Sequence, residues 1–310
     1  MPMPELPDIT LYCEALEHRL VDQTLRELQI SSPFLLRSVE PSPQALATHT
    51  VTGTRRLGKR IAIGFANDHW MVLHLMIAGR LHWYPSGRKV PTRQPLMRLV
   101  FDHGTLTLTE AGSKKRASLH LADSAESMAR HDPGGLEVLD HDADAFVTAL
   151  TRRNHTLKRA LTSPAILSGI GNAYSDEILH HARLSPARLT QSMTADELEQ
   201  LYRSVTEVLN HWTRHLREFY GGKFPEKVTA FREGMAVHGR YREACPRCTT
   251  SIQRIRYAGN ETNYCPRCQT GGKLLADRSL SRLLKKDWPK TIEALEQQQA
   301  QQQAERNNKI

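Results

Sequence analysis

Four cysteines fall in two pairs, Cys245-Pro-Arg-Cys248 and Cys265-Pro-Arg-Cys268, with residues 249–264 between them. Two C-x2-C pairs at this distance meet the tetrahedral demand of a zinc ion, each pair gripping it from a tight turn. Four protein sulfurs leave no position open for water, so a single zinc ion bound here is structural rather than catalytic. Two disulfides are the alternative, and the absence of an export signal argues against them. The hairpin between the pairs carries Arg254, Arg256 and Tyr257, a basic and aromatic set suited to phosphate contact. The fifth cysteine, Cys13, sits on an apolar helix face and reads as a packed thiol.

A second chemistry is written at the amino terminus, in Met3-Pro4-Glu5-Leu6-Pro7-Asp8. If translation starts at Met3 and that residue is removed, Pro4 becomes a free secondary amine. An α-amine is partly unprotonated near neutrality, and an amine attacks an aldehyde-like sugar carbon to form a Schiff base. Glu5 is a carboxyl group able to move protons at the same centre. A start at Met1 would leave the amine on Pro2, about 7 Å of extended chain away from where Glu5 needs it. The expectation is therefore that Met3 is the functional start.

The elements that must position these groups are legible in the apolar periodicity. Leu6, Ile9, Cys13, Leu16 and Leu20 mark one face of a first helix. Residues 60–65, 70–76, 97–101 and 105–109 read as short strands with turns at Asn67-Asp68 and Asp102-His103-Gly104. A β-sandwich carrying the first helix on its edge follows, ending near Asp132-Pro-Gly-Gly135. From about residue 144 the pattern is helical. Thr194 and Glu197 fit a capping box, a stripe from Leu198 to Leu216 follows, and Gly221-Gly222 closes the helix. Within this part, Gly169-Ile-Gly171-Asn172 stands just before a helix, where glycines permit close backbone approach and unpaired N–H groups face an anion. Lys158 and its basic neighbours Arg152, Arg153 and Arg159 read either as a DNA-backbone site or as a solvated face. Arg55-Arg56-Leu57-Gly58-Lys59-Arg60 and Lys114-Lys115-Arg116 are further basic runs, and His74 reads as a core histidine. The tail past residue 290, rich in Gln and Glu, reads as frayed helix or disorder.

Lys plus Arg number 42 against 33 Asp plus Glu, a formal charge of +9 and a pI near 9.4, which points to a polyanionic partner. No apolar run approaches the roughly 20 residues of a membrane span, which excludes a helical membrane protein. Glu5, Asp8, Glu14 and Glu17 interrupt any signal-peptide core, so the chain reads as cytoplasmic.

Taken together, Met3–Asp8, Gly58-Lys59, His74-Leu-Met-Ile-Ala-Gly79, Gly169-Ile-Gly-Asn-Ala-Tyr174 and the four-cysteine finger resemble, in order, the formamidopyrimidine-DNA glycosylase / endonuclease VIII family of base-excision repair enzymes. The resemblance covers roughly residues 3–270. It implies an α+β multidomain fold: a catalytic β-sandwich (3–132), a helix–two-turn–helix DNA-binding domain (144–222) and a zinc finger (235–270), with DNA in the cleft between and residues 271–310 as an extension. It also implies a bifunctional mechanism on damaged DNA; no nucleotide cofactor is expected, and a monomer suits one cleft on one duplex. Pro4 attacks the sugar, Glu5 is the acid/base, and Lys59 holds a phosphate beside the lesion. Asn172 and the turn of Gly169 and Gly171 grip backbone phosphates. Where the family inserts Met, Arg and Phe into the gap left by the flipped base, this chain has Ile77 and the loop Gly112–Ala117, with Lys114, Lys115 and Arg116. Where its finger carries an Arg, this chain has Asn260. Leu280, Leu283 and Leu284 suggest an extra packed helix. A non-catalytic zinc-dependent binder of abasic or distorted DNA is the competing reading, and follows if Pro4 stays inside a peptide bond. A zinc-ribbon RNA-binding protein would leave the Pro-Glu terminus idle.

Overall fold

The computed structural model describes residues 3–91, 95–111, 114–226, 228, 232–257, 260–277, 281–283 and 288–307. The chain divides into two compact units. The first comprises Met1–Asp140, Ser163–Gly171 and Leu209–Ala230; the second comprises His141–Thr162, Asn172–Val208 and Phe231–Ile310.

Unit 1 is a sandwich of two four-stranded antiparallel sheets. Helix α1 (Leu6–Leu20) opens it, followed by β1 (Glu27–Ile30), β2 (Val51–Leu57), β3 (Arg60–Phe65), β4 (Trp70–His74), β5 (Gly79–Pro85), β6 (Met97–Phe101), β7 (Gly104–Glu110), β8 (Ser118–Ala122) and the short α2 (Ala125–Ala129). One sheet runs β1-β6-β7-β5 and the other β2-β3-β4-β8. Side chains alternate across a strand, so Ile61, Ile63, Met71, Leu73, Leu119 and Leu121 from one sheet meet Leu81, Met97, Leu99, Leu106 and Leu108 from the other in one core. Ala62, Trp70, Val72 and Ala122, on the opposite face of β3, β4 and β8, are buried with Met128 of α2. That double burial explains why β3 and β4 read as nearly unbroken apolar runs. Ile9, Tyr12, Leu16 and Leu20 of α1 enter the main core, and α1 lies along β2, the edge strand.

Unit 2 contains α3 (Ala143–Thr151), α4 (Leu157–Thr162), α5 (Asn172–His181), the first part of α6 (Ala195–Tyr220), a hairpin of β9 (Gln253–Tyr257) and β10 (Asn260–Tyr264), and α7 (Pro266–Thr270). The capping box at α6 forms as the sequence reads: Glu197 N–H donates to Thr194 Oγ1 at 3.2 Å, and Thr194 N–H to the Glu197 carboxylate at 2.9 Å. Residues beyond α7 fold back on the finger. Leu275 N–H donates to the Tyr264 hydroxyl at 2.8 Å, and Ile292 N–H to the Gly272 carbonyl at 2.9 Å. Ile292 is fully buried and opens a final polar helix, α8 (Ile292–Asn307). The packed helix expected from three leucines is not supported at Leu283, which is 77% exposed. Leu280 and Leu284 lie outside the described residues, as do Met1, Pro2, Gly112 and Ser113.

Candidate nucleic-acid interface and catalytic site

In unit 1 the site is built on the start of α1. Pro4 is buried, and Glu5 occupies the N-cap with extended backbone, φ −117°. Glu5 N–H donates to Asp8 Oδ2 at 2.9 Å, half of a reciprocal capping box that fixes the first turn. The Glu5 carboxylate in turn accepts Gly171 N–H at 2.7 Å. One residue on, Leu6 N–H donates to the Gly169 carbonyl at 2.9 Å. Gly169 has φ +76°, a left-handed conformation that a residue with a Cβ adopts only under strain. Gly171 is required by space. A Cβ there would lie 2.4 Å from both Glu5 Cδ and Lys59 Nζ, so the carboxyl and the ammonium converge on this one backbone position.

Lys59 is half-buried in the two-residue turn joining β2 to β3, whose flanking residues Leu57 and Arg60 are paired. Arg56 braces that turn. Its guanidinium donates to the Gly58 carbonyl at 3.1 Å and ion-pairs with Glu137, which also accepts the Ser168 hydroxyl. The brace ties the Lys59 turn to the segment carrying Gly169 and Gly171. His74 stands close enough to feel Lys59. Burial, then Arg60, Lys59 and His120, push its pKa down to about 4, so it is neutral at pH 7.

The other unit 1 candidates are exposed. Ile77 is 41% exposed in the turn after β4, behind Met76 at φ +54°, and its carbonyl accepts from Arg80. Lys114, Lys115 and Arg116 are exposed on a loop whose backbone is gathered by buried Glu110. That carboxylate accepts Arg116 N–H at 2.9 Å and Ala117 N–H at 3.1 Å.

In unit 2, Asn172 begins α5, and its side-chain amide donates to the Glu261 carbonyl on β10 at 2.6 Å. Lys158 is turned inward rather than displayed on a basic helix face. Its ammonium donates to the Asn172 carbonyl at 2.7 Å, Ser175 Oγ at 2.8 Å and Asp176 Oδ1 at 2.5 Å. Asp176 has no exposed surface in its side chain, and its other oxygen accepts from His238 Nδ1 at 2.8 Å and Asn263 N–H at 3.1 Å. Glu177 accepts the backbone N–H groups of Ala236, Val237 and His238. These two acids anchor the strand and loop of the finger to α5. Sequence reading missed both roles, although Asp176-Glu177 ends the glycine-turn motif. On the hairpin, Arg256 and Asn260 are exposed.

The sulfurs of Cys245, Cys248, Cys265 and Cys268 all lie within 4.8 Å of one another. Separations of 3.4 Å (Cys248–Cys265) and 4.0 Å (Cys245–Cys268) bracket the edge of a tetrahedron, about 3.8 Å for ligands ~2.3 Å from zinc. The donors fit one structural zinc ion. His180 Nε2, 3.3 Å from Cys245 Sγ, supplies the outer hydrogen bond that orients a ligand.

Family models match three spans of the chain. They are the formamidopyrimidine-DNA glycosylase N-terminal domain (residues 3–125), the H2TH domain of the same enzymes (135–215) and the zinc finger found in FPG and IleRS (242–271). The formamidopyrimidine-DNA glycosylase of Laribacter hongkongensis is 32% identical over 278 residues, covering 86% of this chain and 100% of its own. That of Heliobacterium modesticaldum is 30% identical over 282 residues, with the same shares. Among solved structures, Lactococcus lactis Fpg in complex with Fapy-dG-containing DNA has the same fold. Its TM-score is 0.75 at 24% identity, over 86% of this chain and 100% of that one. Residues 272–310 lie beyond the three matched spans.

Proposed function

The chain belongs to the formamidopyrimidine-DNA glycosylase family, and on that premise we propose that it excises a damaged base from DNA and nicks the strand at the resulting abasic site. In a chain that starts at Met3 and loses it, Pro4 presents a secondary amine beside the Glu5 carboxyl. The amine attacks the sugar carbon bearing the base; the C–N bond to Pro4 forms as the glycosidic bond breaks, and the base leaves with the bonding pair. Glu5 takes the proton from the attacking amine and gives it to the sugar ring oxygen as the ring opens to the Schiff base. Loss of the neighbouring C–H proton then expels the phosphate by elimination. Lys59 neutralises a phosphate next to the lesion, and Asn172 with the Gly169–Gly171 turn holds the backbone of the damaged strand. Ile77, Lys114, Lys115 and Arg116 contact the gap left by the extruded nucleotide, while Arg256 and Asn260 meet DNA from the finger. Extrusion costs less for a lesion, which stacks and pairs poorly. The zinc ion keeps the finger folded, and the protein acts as a monomer on DNA in the cytoplasm.

The observation that carries this reading is the convergence of the Glu5 carboxylate and the Lys59 ammonium at Gly171, with Pro4 the residue before Glu5 in the chain. Supporting it, Lactococcus lactis Fpg has been solved in complex with abasic-site-containing DNA. Borohydride trapping on an oligonucleotide with one abasic site tests it. The Met3-start protein should give a covalent adduct that is lost in Pro4→Gly. No adduct, with tight binding to abasic DNA retained, would leave the chain a binder without the chemistry.

A further inference from the structure

The basic hairpin of the finger carries its own anion. Glu261 on β10 faces Arg256 on β9 in the antiparallel register. Its Oε2 accepts from Arg254 Nη1 at 3.2 Å and from Arg256 Nε at 3.1 Å, and its Oε1 from Asn263 Nδ2 at 3.0 Å. Burial pushes this carboxyl up, but the hydrogen bonds from Asn263 and Arg256 and the charges of Arg254 and Arg256 outweigh it. The group is held below the usual carboxylate range and is ionised at neutral pH.

The two arginines differ in freedom. The Arg254 guanidinium lies 4.0 Å from the ring centroid of Tyr241 and is fixed from that side as well. Arg256 is 61% exposed, and its backbone N–H is separately held by Asp277 at 2.8 Å, so its place on the strand does not depend on the ion pair. A half-exposed pair of this kind contributes little to folding. A phosphate offers a guanidinium the same fork of oxygens with at least as much charge, and can take the place of the carboxylate. The Glu261 backbone carbonyl is the acceptor for Asn172, so the carboxylate stands on the residue that also anchors the amide assigned to phosphate.

We propose that Glu261 is an internal competitor for backbone phosphate, occupying Arg254 and Arg256 in the free chain and yielding Arg256 when DNA binds. The protein thereby holds DNA less tightly than Arg254 and Arg256 would if both were open to phosphate. The proposal rests on the DNA-binding reading above, and one experiment separates their failures. Dissociation constants are measured across a salt series for an undamaged duplex and for the same duplex carrying one abasic-site analogue. The proteins are the zinc-loaded full chain, E261Q, E261A, R254Q/R256Q and R254Q/E261Q/R256Q. Both Glu261 variants should bind both duplexes about three- to tenfold tighter, with the slope of log K against log salt steeper by about 0.9, one phosphate's worth. The gain should vanish when the two arginines are absent. Unchanged or weaker binding by either variant, with zinc content and melting temperature retained, overturns the proposal. Failure of the unaltered chain to bind either duplex at low salt would instead overturn the DNA reading.

Discussion

At Gly171 one methyl group is enough to probe the site. The Gly-x-Gly sequence suggests a turn open to a phosphate, and the glycine does permit a close approach. The groups that approach are the protein's own Glu5 carboxyl and Lys59 ammonium, each 2.4 Å from where a Cβ would stand. Sequence could not reveal this, because Glu5 and Gly171 are brought together only by the fold. Lys59 has a flexible stem and can retreat. Glu5 is pinned by its capping box and by Gly171 N–H, so a methyl group must push it off line. Gly171→Ala should lower the rate of adduct trapping about 100-fold, the cost of roughly 1 Å of misplacement, with the far-ultraviolet circular dichroism retained. Trapping at the normal rate would show that Glu5 and Lys59 do not set the geometry of the reacting centre.

Among the elements, those announced by periodicity came through: α1, strands β3, β4, β6 and β7, and α6 with its capping box. The cap of α1 did not, because Glu is a poor N-cap by type and works here in a reciprocal capping box with Asp8 three residues on. Nor did the inward turn of Lys158, since sequence shows a basic helix face but not the buried Asp176 below it. Removing one member of a buried pair typically costs about 3–5 kcal/mol. Lys158→Met should therefore lower unfolding stability by about that amount in urea titration, while leaving the salt slope of DNA binding unchanged. A slope reduced by about 1 with stability intact would make Lys158 a phosphate contact instead. Glu261 was equally hidden, although it is the one acid on the strand paired with the Arg-x-Arg strand, opposite Arg256.

Across the whole molecule, the histidines of unit 1 give the fold a dependence on acid. Burial, reinforced by neighbouring cations, pushes His74 down to about 4 and lowers His120 and His131; burial also lowers His82. In the unfolded chain these imidazoles take up protons near pH 6.5. Between that value and about pH 4 the unfolded state therefore binds more protons at these residues, so their contribution to stability falls as pH falls through the window and flattens below it. The His74 share is on the order of 2–3 kcal/mol. Urea unfolding from pH 7 to pH 4 should show this decline, and His74→Gln should make it shallower; an identical slope in the variant would refute the assignment to His74.

The buried start of α1 also governs how the protein can be handled. Pro4 is enclosed, Glu5 is already the helix cap, and no slack separates them from the first turn. Under the proposed mechanism, an affinity tag joined upstream would keep the Pro4 nitrogen in an amide and block its attack on the sugar. A purification handle therefore belongs after α8, whose residues from Glu293 to Glu305 are mostly exposed, and preparations tagged upstream should stay inert toward abasic DNA until a protease leaves Pro4 first in the chain.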